Sequence, residues 1–539
     1  MSFAATRRPL SAMGGGGALA LTAAVGARNH HLHPTSGAHH HKLQHLNHQR
    51  RHRSTTTTGA MGLTVDAINA NVRRAEYAVR GELAVKAEEF RARLAKGDST
   101  LPFDHVISAN IGNPQQLDQK PITFFRQVSS LLENPQLLEN EHVLVNSLGY
   151  KADVVERARW LLKQVGSVGA YSPSNGVPAI KESVAAFLQR RDGFPADPAH
   201  IYLSAGASSG VNTLLNVICA DKTTGIMIPI PQYPLYTATL CLLNATAVPY
   251  NLDESRAWGT DIDTINKAYE QAKAAGTDVR CIVIINPGNP TGASLSEKDI
   301  RAVIDFASRE NLILMADEVY QTNVFVGKFH SFKGVLRQMQ KETPGKYDAV
   351  ELASLHSISK GMVGECGHRG GYFELVGFDS EVEANIYKFV SIMLCAPVLG
   401  QCLVELMVNP PKPGDPSYDL YNKEYSGIHE GLRERATALR NAFSQMEGVE
   451  CAEPQGAMYL FPSIHLSQKA VDAAAGEGRS PDDFYCMRML EATGICVIPG
   501  SGFGQAEGTL HFRTTFLAPG TEWVGSIVKF HKEFMDKYR

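Results

Sequence analysis

The reading of this chain turns on His356-Ser-Ile-Ser-Lys360-Gly-Met-Val-Gly-Glu-Cys-Gly-His-Arg369-Gly-Gly-Tyr372. An apolar, strand-like run, Val350 to Leu355, leads into it. One lysine sits among small residues, and an arginine follows nine positions later. A lysine that forms an imine with an aldehyde cofactor needs this setting. Its amine must reach the carbonyl carbon, its neighbours must admit a flat ring, and a cation must hold a phosphate nearby. A lysine alone is more often a solvated surface charge, so the weight rests on what accompanies it.

Three further motifs accompany it. Residues 281–292 read CIVIINPGNPTG. The five apolar residues predict a buried strand, and the Asn-Pro-Gly-Asn-Pro-Thr-Gly run predicts a rigid turn at its C-terminal end, where open α/β sheets bind ligands. Asn289 there is either a plain turn residue or an amide offered to a ring oxygen. Residues 311–320 read NLILMADEVY. Asp317 ends a second buried strand and is either a helix N-cap or a carboxylate paired with a protonated ring nitrogen. Tyr320 is either core packing or a donor to a phenolic oxygen. Residues 201–220 read IYLSAGASSGVNTLLNVICA, a short strand running through a small-residue turn into a helix. Backbone N–H groups at that helix start, with Ser208 and Ser209, suit a phosphate. Tyr233, in IPIPQYPLY (228–236), is either a surface aromatic or a platform for a ring.

Composition excludes other classes. The 539 residues are 44% hydrophobic and 20% charged, as in ordinary globular chains. A net charge of −3 indicates no bulk attraction to nucleic acid or to a membrane surface. No apolar run approaches the roughly 20 residues of a transmembrane helix. Nine cysteines, without a Cys-x-x-Cys pair, read as free thiols of a reduced compartment. Residues 1–60 differ from the rest. They carry no Asp or Glu, hold Arg7, Arg8, Arg28, Arg50, Arg51 and Arg53, and are rich in Ser, Thr, Ala and Gly. This is the composition of an organelle transit peptide, mitochondrial in preference to chloroplast. Its histidine runs (30–33 and 39–41) read as low-complexity sequence, and no metal site is expected. The C-terminal Met535-Asp-Lys-Tyr-Arg539 lacks a peroxisomal ending of the Ser-Lys-Leu type.

Periodicity predicts a helical arm over Val65–Leu94, then alternating strands and helices from Pro121 to Pro397. Ser296 is the expected N-cap of an amphipathic helix to Glu310. Further helices are expected at Met393–Met407, Tyr425–Met446 and Trp523–Tyr538, with strands around Met458 and Val497 and a Pro-rich loop at 409–416. The strand–helix–strand order implies an α/β fold with a mostly parallel sheet covered on both faces. The expected division is a leader (1–60), an N-terminal arm (61–120), a large cofactor-binding domain (121–400) and a small α+β domain (401–539).

In this order the motifs resemble those of the fold-type I pyridoxal-phosphate aminotransferases. HSISKGMVGECGHRGGY, NIGNPQQLDQKPITFFRQV (110–128), VIPGSGFGQ (497–505) and FRTTFL (512–517) resemble the alanine aminotransferase group, which also includes plant glutamate:glyoxylate aminotransferases. The resemblance runs from about Ala67 to the C-terminus. It implies a large domain with a mostly parallel seven-stranded sheet, a smaller α+β domain and pyridoxal 5'-phosphate as cofactor. It makes Lys360 the Schiff-base lysine and proton carrier, and Asp317 the partner of the ring nitrogen. Asn289 and Tyr320 then contact the ring oxygen, and Tyr233 stacks on the ring. Ala207, Ser208, Ser357 and Arg369 hold the phosphate. Arg513 grips the substrate α-carboxylate, and Gly112 admits it closely, with Asn289 beside it. Tyr171, in Ala-Tyr-Ser-Pro-Ser-Asn-Gly176, is implied to reach the phosphate of a second subunit, hence a homodimer with shared sites. The implied activity is amino transfer from alanine to 2-oxoglutarate. Glutamate:glyoxylate transfer and a same-fold lyase are the alternatives. One position departs from the group: Asp118 stands where its NPxxLGQ segment has glycine.

Overall fold

Seven short apolar runs become the strands of one sheet: β1 (Ile201–Ser204), β2 (Thr224–Ile230), β3 (Thr246–Asn251), β4 (Asp278–Ile285), β5 (Ile313–Asp317), β6 (Leu352–Ser357) and β7 (Gly371–Val376). Their order is β1-β7-β6-β5-β4-β2-β3. β7 runs antiparallel to both neighbours, and all other pairs are parallel. Parallel neighbours need long crossovers. Helices Ala207–Ile218, Leu235–Leu243, Ile262–Ala274, Glu297–Glu310 and Phe332–Glu342 each lie between one parallel strand and the next in sequence. This computed structural model describes residues 63–77 and 81–539; the expected leader lies outside the described residues.

Both faces of the sheet are covered, so successive residues of a strand can both be apolar. Cys281, Val283 and Met315 pack with Val211, Leu214 and Leu215 of the first crossover helix. Ile282, Ile284, Leu314 and Ala316 face the other way, onto Ile300, Val303 and Ile304. Each Val, Leu, Ile or Met among them contributes about 1.5–3 kcal/mol on full burial. Ser296 caps its helix as expected, accepting from the N–H of Asp299. Register then places the functional edge. Ile285 lies opposite Asp317, and Asp317 opposite Leu355. The loops after β4, β5 and β6 therefore leave the sheet level with one another.

A second core joins the N-terminal part of the described residues to the C-terminal part of the chain. Leu83, Ala87 and Phe90 of helix Glu82–Ala95 pack with Leu432, Ala436 and Leu439 of helix Tyr418–Phe443 and with Tyr485, Ile527 and Phe534. Beside it, strand Phe512–Thr515 pairs antiparallel with Tyr459–Leu460 on one side and Ile498–Pro499 on the other. Among the described residues no helix is long and apolar enough to cross a membrane. All nine cysteines are free.

Three local expectations need correction. The arm is not one helix. It forms Ala70–Arg74, leaves the helix at an extended Ala75, and resumes at Glu82 after an extended Gly81. Tertiary bonds override the periodicity: Asn71 donates to the Leu242 carbonyl, Arg74 to Asn244, and the Tyr77 hydroxyl meets that of Tyr233. The helix expected from Met393 starts only at Val398. Pro397 disfavours helical backbone before it, and Leu394 has a φ of 68°. The long helix begins at Tyr418 rather than Tyr425, drawing in polar turns that periodicity does not mark. Asp118 has a φ of 62°, a left-handed backbone that glycine adopts freely and aspartate tolerates.

His356, 2% exposed, is pushed down to a pKa of about 3 by burial and then by the nearby Arg191 cation. The unfolded chain takes up this proton near pH 6.5, whereas the folded chain refuses it. Below pH 6.5 the folded state therefore loses stability progressively, by about 2–3 kcal/mol at pH 4.5. Replacing His356 with Gln is expected to flatten the acid limb of Tm against pH. Parallel acid limbs for the two proteins would contradict the assignment.

Candidate active site

A cavity of about 330 Å³ opens at the level edge of the sheet. Gly112, Ala207, Ser208, Tyr233, Asn289, Asp317, Tyr320, Ser357, Lys360, Arg369 and Arg513 all line it. Residues more than 400 positions apart thus meet within one small-ligand volume. Tyr171 does not line it. Its side chain lies on the surface, 81% exposed.

Lys360 leaves β6 on a loop bent by Gly361 and Gly364, both with positive φ. Its Nζ donates to the Gly112 carbonyl at 2.8 Å and lies 5.8 Å from the centre of the Tyr320 ring. Asp317 ends β5 almost fully buried. Tyr236 donates its hydroxyl to the carboxylate at 2.8 Å, and the Val319 N–H lies 3.4 Å away. Burial pushes the carboxyl pKa up, against the pull of those two donors and of Lys360. A cation facing Asp317 would reverse that penalty. The site therefore suits a ligand with a protonated ring nitrogen here.

The opposite wall suits an anion. Helix Ala207–Ile218 starts after Gly206, which has a φ of 84° and gives no side-chain cap. Its first N–H groups carry the positive end of the helix dipole. Arg369 reaches across with one terminal nitrogen 2.9 Å from the Ala205 carbonyl and 3.3 Å from the Ser208 hydroxyl. A Cβ on residue 206 would fall 2.6 Å from that nitrogen, so the cradle needs glycine. Ser357 serves the loop: its hydroxyl donates to the Gly370 carbonyl and accepts from the Ser359 N–H, both at 3.1 Å. Cys366 lies beside them. Burial pushes its thiol up, in keeping with packing rather than nucleophilic use.

Arg513, 1% exposed, is brought in by the short antiparallel sheet. One terminal nitrogen donates to Asn289 Oδ1 at 3.0 Å and the other to the Asn110 carbonyl at 2.5 Å. Its Nε has no protein partner, and rings of Tyr459 and Phe503 flank the guanidinium at 4.1 and 4.6 Å. With Asn289 Oδ1 engaged, its NH2 is left to donate to a ligand oxygen. A flat group carrying a phosphate, a ring cation and a ring oxygen fits these donors, with a carboxylate at Arg513. Among the described residues no group of three or more His, Cys, Asp or Glu could hold a metal.

Sequence reasoning missed three tyrosines. Tyr236 sits three residues after Tyr233 in the first turn of helix Leu235–Leu243, and its place in the run that singled out Tyr233 was the one signal available. Tyr77 reaches Tyr233 at 2.6 Å, hydroxyl to hydroxyl, only because the arm breaks. Tyr459 carries no motif, and its place follows from strand pairing alone.

The profile described as Aminotransferase class I and II matches residues 143–523. The chain belongs to that aminotransferase family. It is 52% identical to the mitochondrial alanine aminotransferase of Saccharomyces cerevisiae over 92% of this chain and 85% of that one. It is 51% identical to a protein of the same yeast named inactive alanine aminotransferase, over 88% and 95%. The solved alanine aminotransferase of Pyrococcus furiosus shares the fold, with a TM-score of 0.66 at 22% identity, covering 86% of this chain and all of that one. This aminotransferase thus has the fold-type I architecture implied by its sequence.

A Cβ on residue 112 would lie 1.9 Å from the Tyr459 hydroxyl and 3.0 Å from Lys360 Nζ. Gly112→Ala is expected to lower aminotransferase turnover by about 100-fold or more through misplacement of the lysine. The overlap with the buried Tyr459 should also cost about 1–3 kcal/mol of stability, as added bulk in a packed interior does. Turnover within about threefold of wild type would show that the close approach is dispensable.

Proposed function

We propose that this aminotransferase is a mitochondrial alanine aminotransferase, converting L-alanine and 2-oxoglutarate to pyruvate and L-glutamate with pyridoxal 5'-phosphate. The observation that carries this reading is the convergence of Lys360, Asp317, Arg369 and Arg513 on one cavity. Identity to an active and an inactive namesake is nearly equal. The weight therefore falls on a site in which every role has a residue to fill it.

Bound there, pyridoxal phosphate supplies an aldehyde for the amino group and a cationic ring that draws electrons from the substrate α-carbon. The chain does the rest. The helix start at Ala207 and Ser208, with Arg369, anchors the phosphate. Asp317 keeps the ring nitrogen protonated. Asn289 and Tyr320 donate to the ring oxygen. Arg513 binds the α-carboxylate of each substrate in turn, and Gly112 leaves it room. Lys360, with its amine free, would take the proton from the substrate α-carbon and hand it back as the general acid.

The same reading includes a homodimer. Gln401 donates both to the Ser172 hydroxyl and to the Ala396 carbonyl at 2.9 Å, tying the Tyr171 turn to the loop after Leu394. Tyr171, Ile392, Met393 and Leu394 stand exposed there. A second copy covering this face buries them and brings Tyr171 toward its neighbour's phosphate site. Residues 1–60 then act as the transit peptide, in keeping with the mitochondrial relative.

Initial rates with alanine and 2-oxoglutarate are expected to give parallel double-reciprocal lines, and Lys360→Ala to abolish turnover. Intersecting lines would refute the shuttle. Faster transfer from glutamate to glyoxylate would reassign the substrate, and turnover without any keto acid would make the chain a lyase.

In sedimentation the purified chain is expected to run as a dimer. Tyr171→Phe should weaken retention of the cofactor without altering that state. A monomer with full activity would overturn the shared-site reading.

A further inference from the structure

The mechanism above gives no role to Tyr459, a buried polar side chain that lines the cavity. Tyr459 is 2% exposed, at the start of the strand that pairs with Phe512–Thr515. It lies opposite Thr515, so Arg513, two residues along, is its diagonal neighbour on the same face. The Arg513 guanidinium sits 4.1 Å from the centre of its ring. Its hydroxyl accepts from the Tyr320 hydroxyl at 3.4 Å, the two rings meeting edge to face. The hydroxyl also lies over Gly112, so close that a Cβ there would overlap it, and Lys360 Nζ borders the same point.

Ring and hydroxyl thus touch different parts of the site. The ring forms one wall against Arg513. The hydroxyl reaches the lysine side of the cavity. Burial opposes ionisation of Tyr459, yet Lys360, Arg513 and the bond from Tyr320 together bring its pKa below the ordinary phenol value. Tyr320 is held well above it by burial, then by Tyr459. Between the two oxygens, the Tyr320 hydroxyl is the donor. Tyr320 has a single O–H, so the Tyr459 oxygen, 3.4 Å away, competes with a ring oxygen for it, and Tyr459 thereby sets how fully Tyr320 can serve the cofactor.

We infer that Tyr459 is a positioning residue with two separable tasks: its ring orients Arg513 for the substrate carboxylate, and its hydroxyl sets the hydrogen-bonding strength of Tyr320. The inference rests on the cofactor reading above and assigns Tyr459 no proton transfer of its own.

The test uses the full chain loaded with pyridoxal phosphate and two variants. Tyr459→Phe keeps the ring and removes the hydroxyl. Tyr459→Leu removes both. Two quantities are read: the pH midpoint of the cofactor's visible absorption change, and the Kd of the non-reacting analogue 2-methylalanine from the same absorbance. Tyr459→Phe is expected to move the midpoint by about half a unit or more while Kd stays within about twofold. Tyr459→Leu is expected to move the midpoint similarly and to raise Kd about tenfold, through loss of the stacked cation. An unmoved midpoint in Tyr459→Phe would overturn the hydroxyl's task. Equal Kd values for the two variants would overturn the ring's. A wild-type chain that shows no cofactor absorption at all would instead sink the cofactor reading, leaving the two failures distinguishable.

Discussion

A carboxylate buried at the floor of the cavity governs the arrangement around it. Asp317 is buried at the end of a central strand, between Ile285 and Leu355 of its neighbours. Burying an isolated charge costs far more than a few hydrogen bonds restore, since bonds to a charged group contribute only about 1.5–3 kcal/mol each. Tyr236 and the Val319 N–H offset part of that cost. The remainder is met when a cation sits against the carboxylate. Such a site makes sense as half of a pair, and the rest of the cavity aligns the other half: an anion cradle at the Ala207 helix, a lysine on the Gly361 loop and a guanidinium from the far end of the chain.

Much of this was legible in the residues, for a physical reason. Parallel strands buried on both faces leave unbroken apolar runs, and their C-terminal ends are where polar residues interrupt them. Asn289, Asp317 and Lys360 all stand just past such a run, so linear order alone brought them to one edge. What depended on register or on a break in periodicity stayed hidden. Tyr459 reaches Arg513 through a diagonal across two antiparallel strands, and no spacing in the sequence encodes it. Tyr77 was folded into a helical arm because its neighbours keep a helical rhythm that tertiary bonds then interrupt. The Asp118 backbone, left-handed where the group pattern has glycine, shows the reverse case, a departure in sequence that the fold absorbs without strain at the cavity.

Beneath the same strands lies a second polar layer. Glu318 follows Asp317, and His356 precedes Ser357, so alternation turns each to the face away from the cavity. There Arg191 is bonded to Asp192, and Lys333 to Glu374 at 2.5 Å, both members of the latter pair almost wholly buried. Breaking such a pair from one side typically costs about 3–5 kcal/mol. Strand ends that carry the chemistry are therefore clamped from behind by charges that never meet a ligand, and the loops in front stay at fixed height.

The broken arm sets where the chain could be shortened from its N-terminal side without harm to the site. Tyr77 borders the cavity, and Asn71 and Arg74 moor it to the helix that ends at Leu243. The mouth of the site is thus built partly from residues that begin only a few positions after the acid-free leader. If residues 1–60 are the transit peptide proposed above, the protease that trims them would work within a narrow tolerance. A cut upstream of Asn69 leaves the mooring whole, whereas one a dozen residues later removes a wall of the active site from an otherwise complete fold.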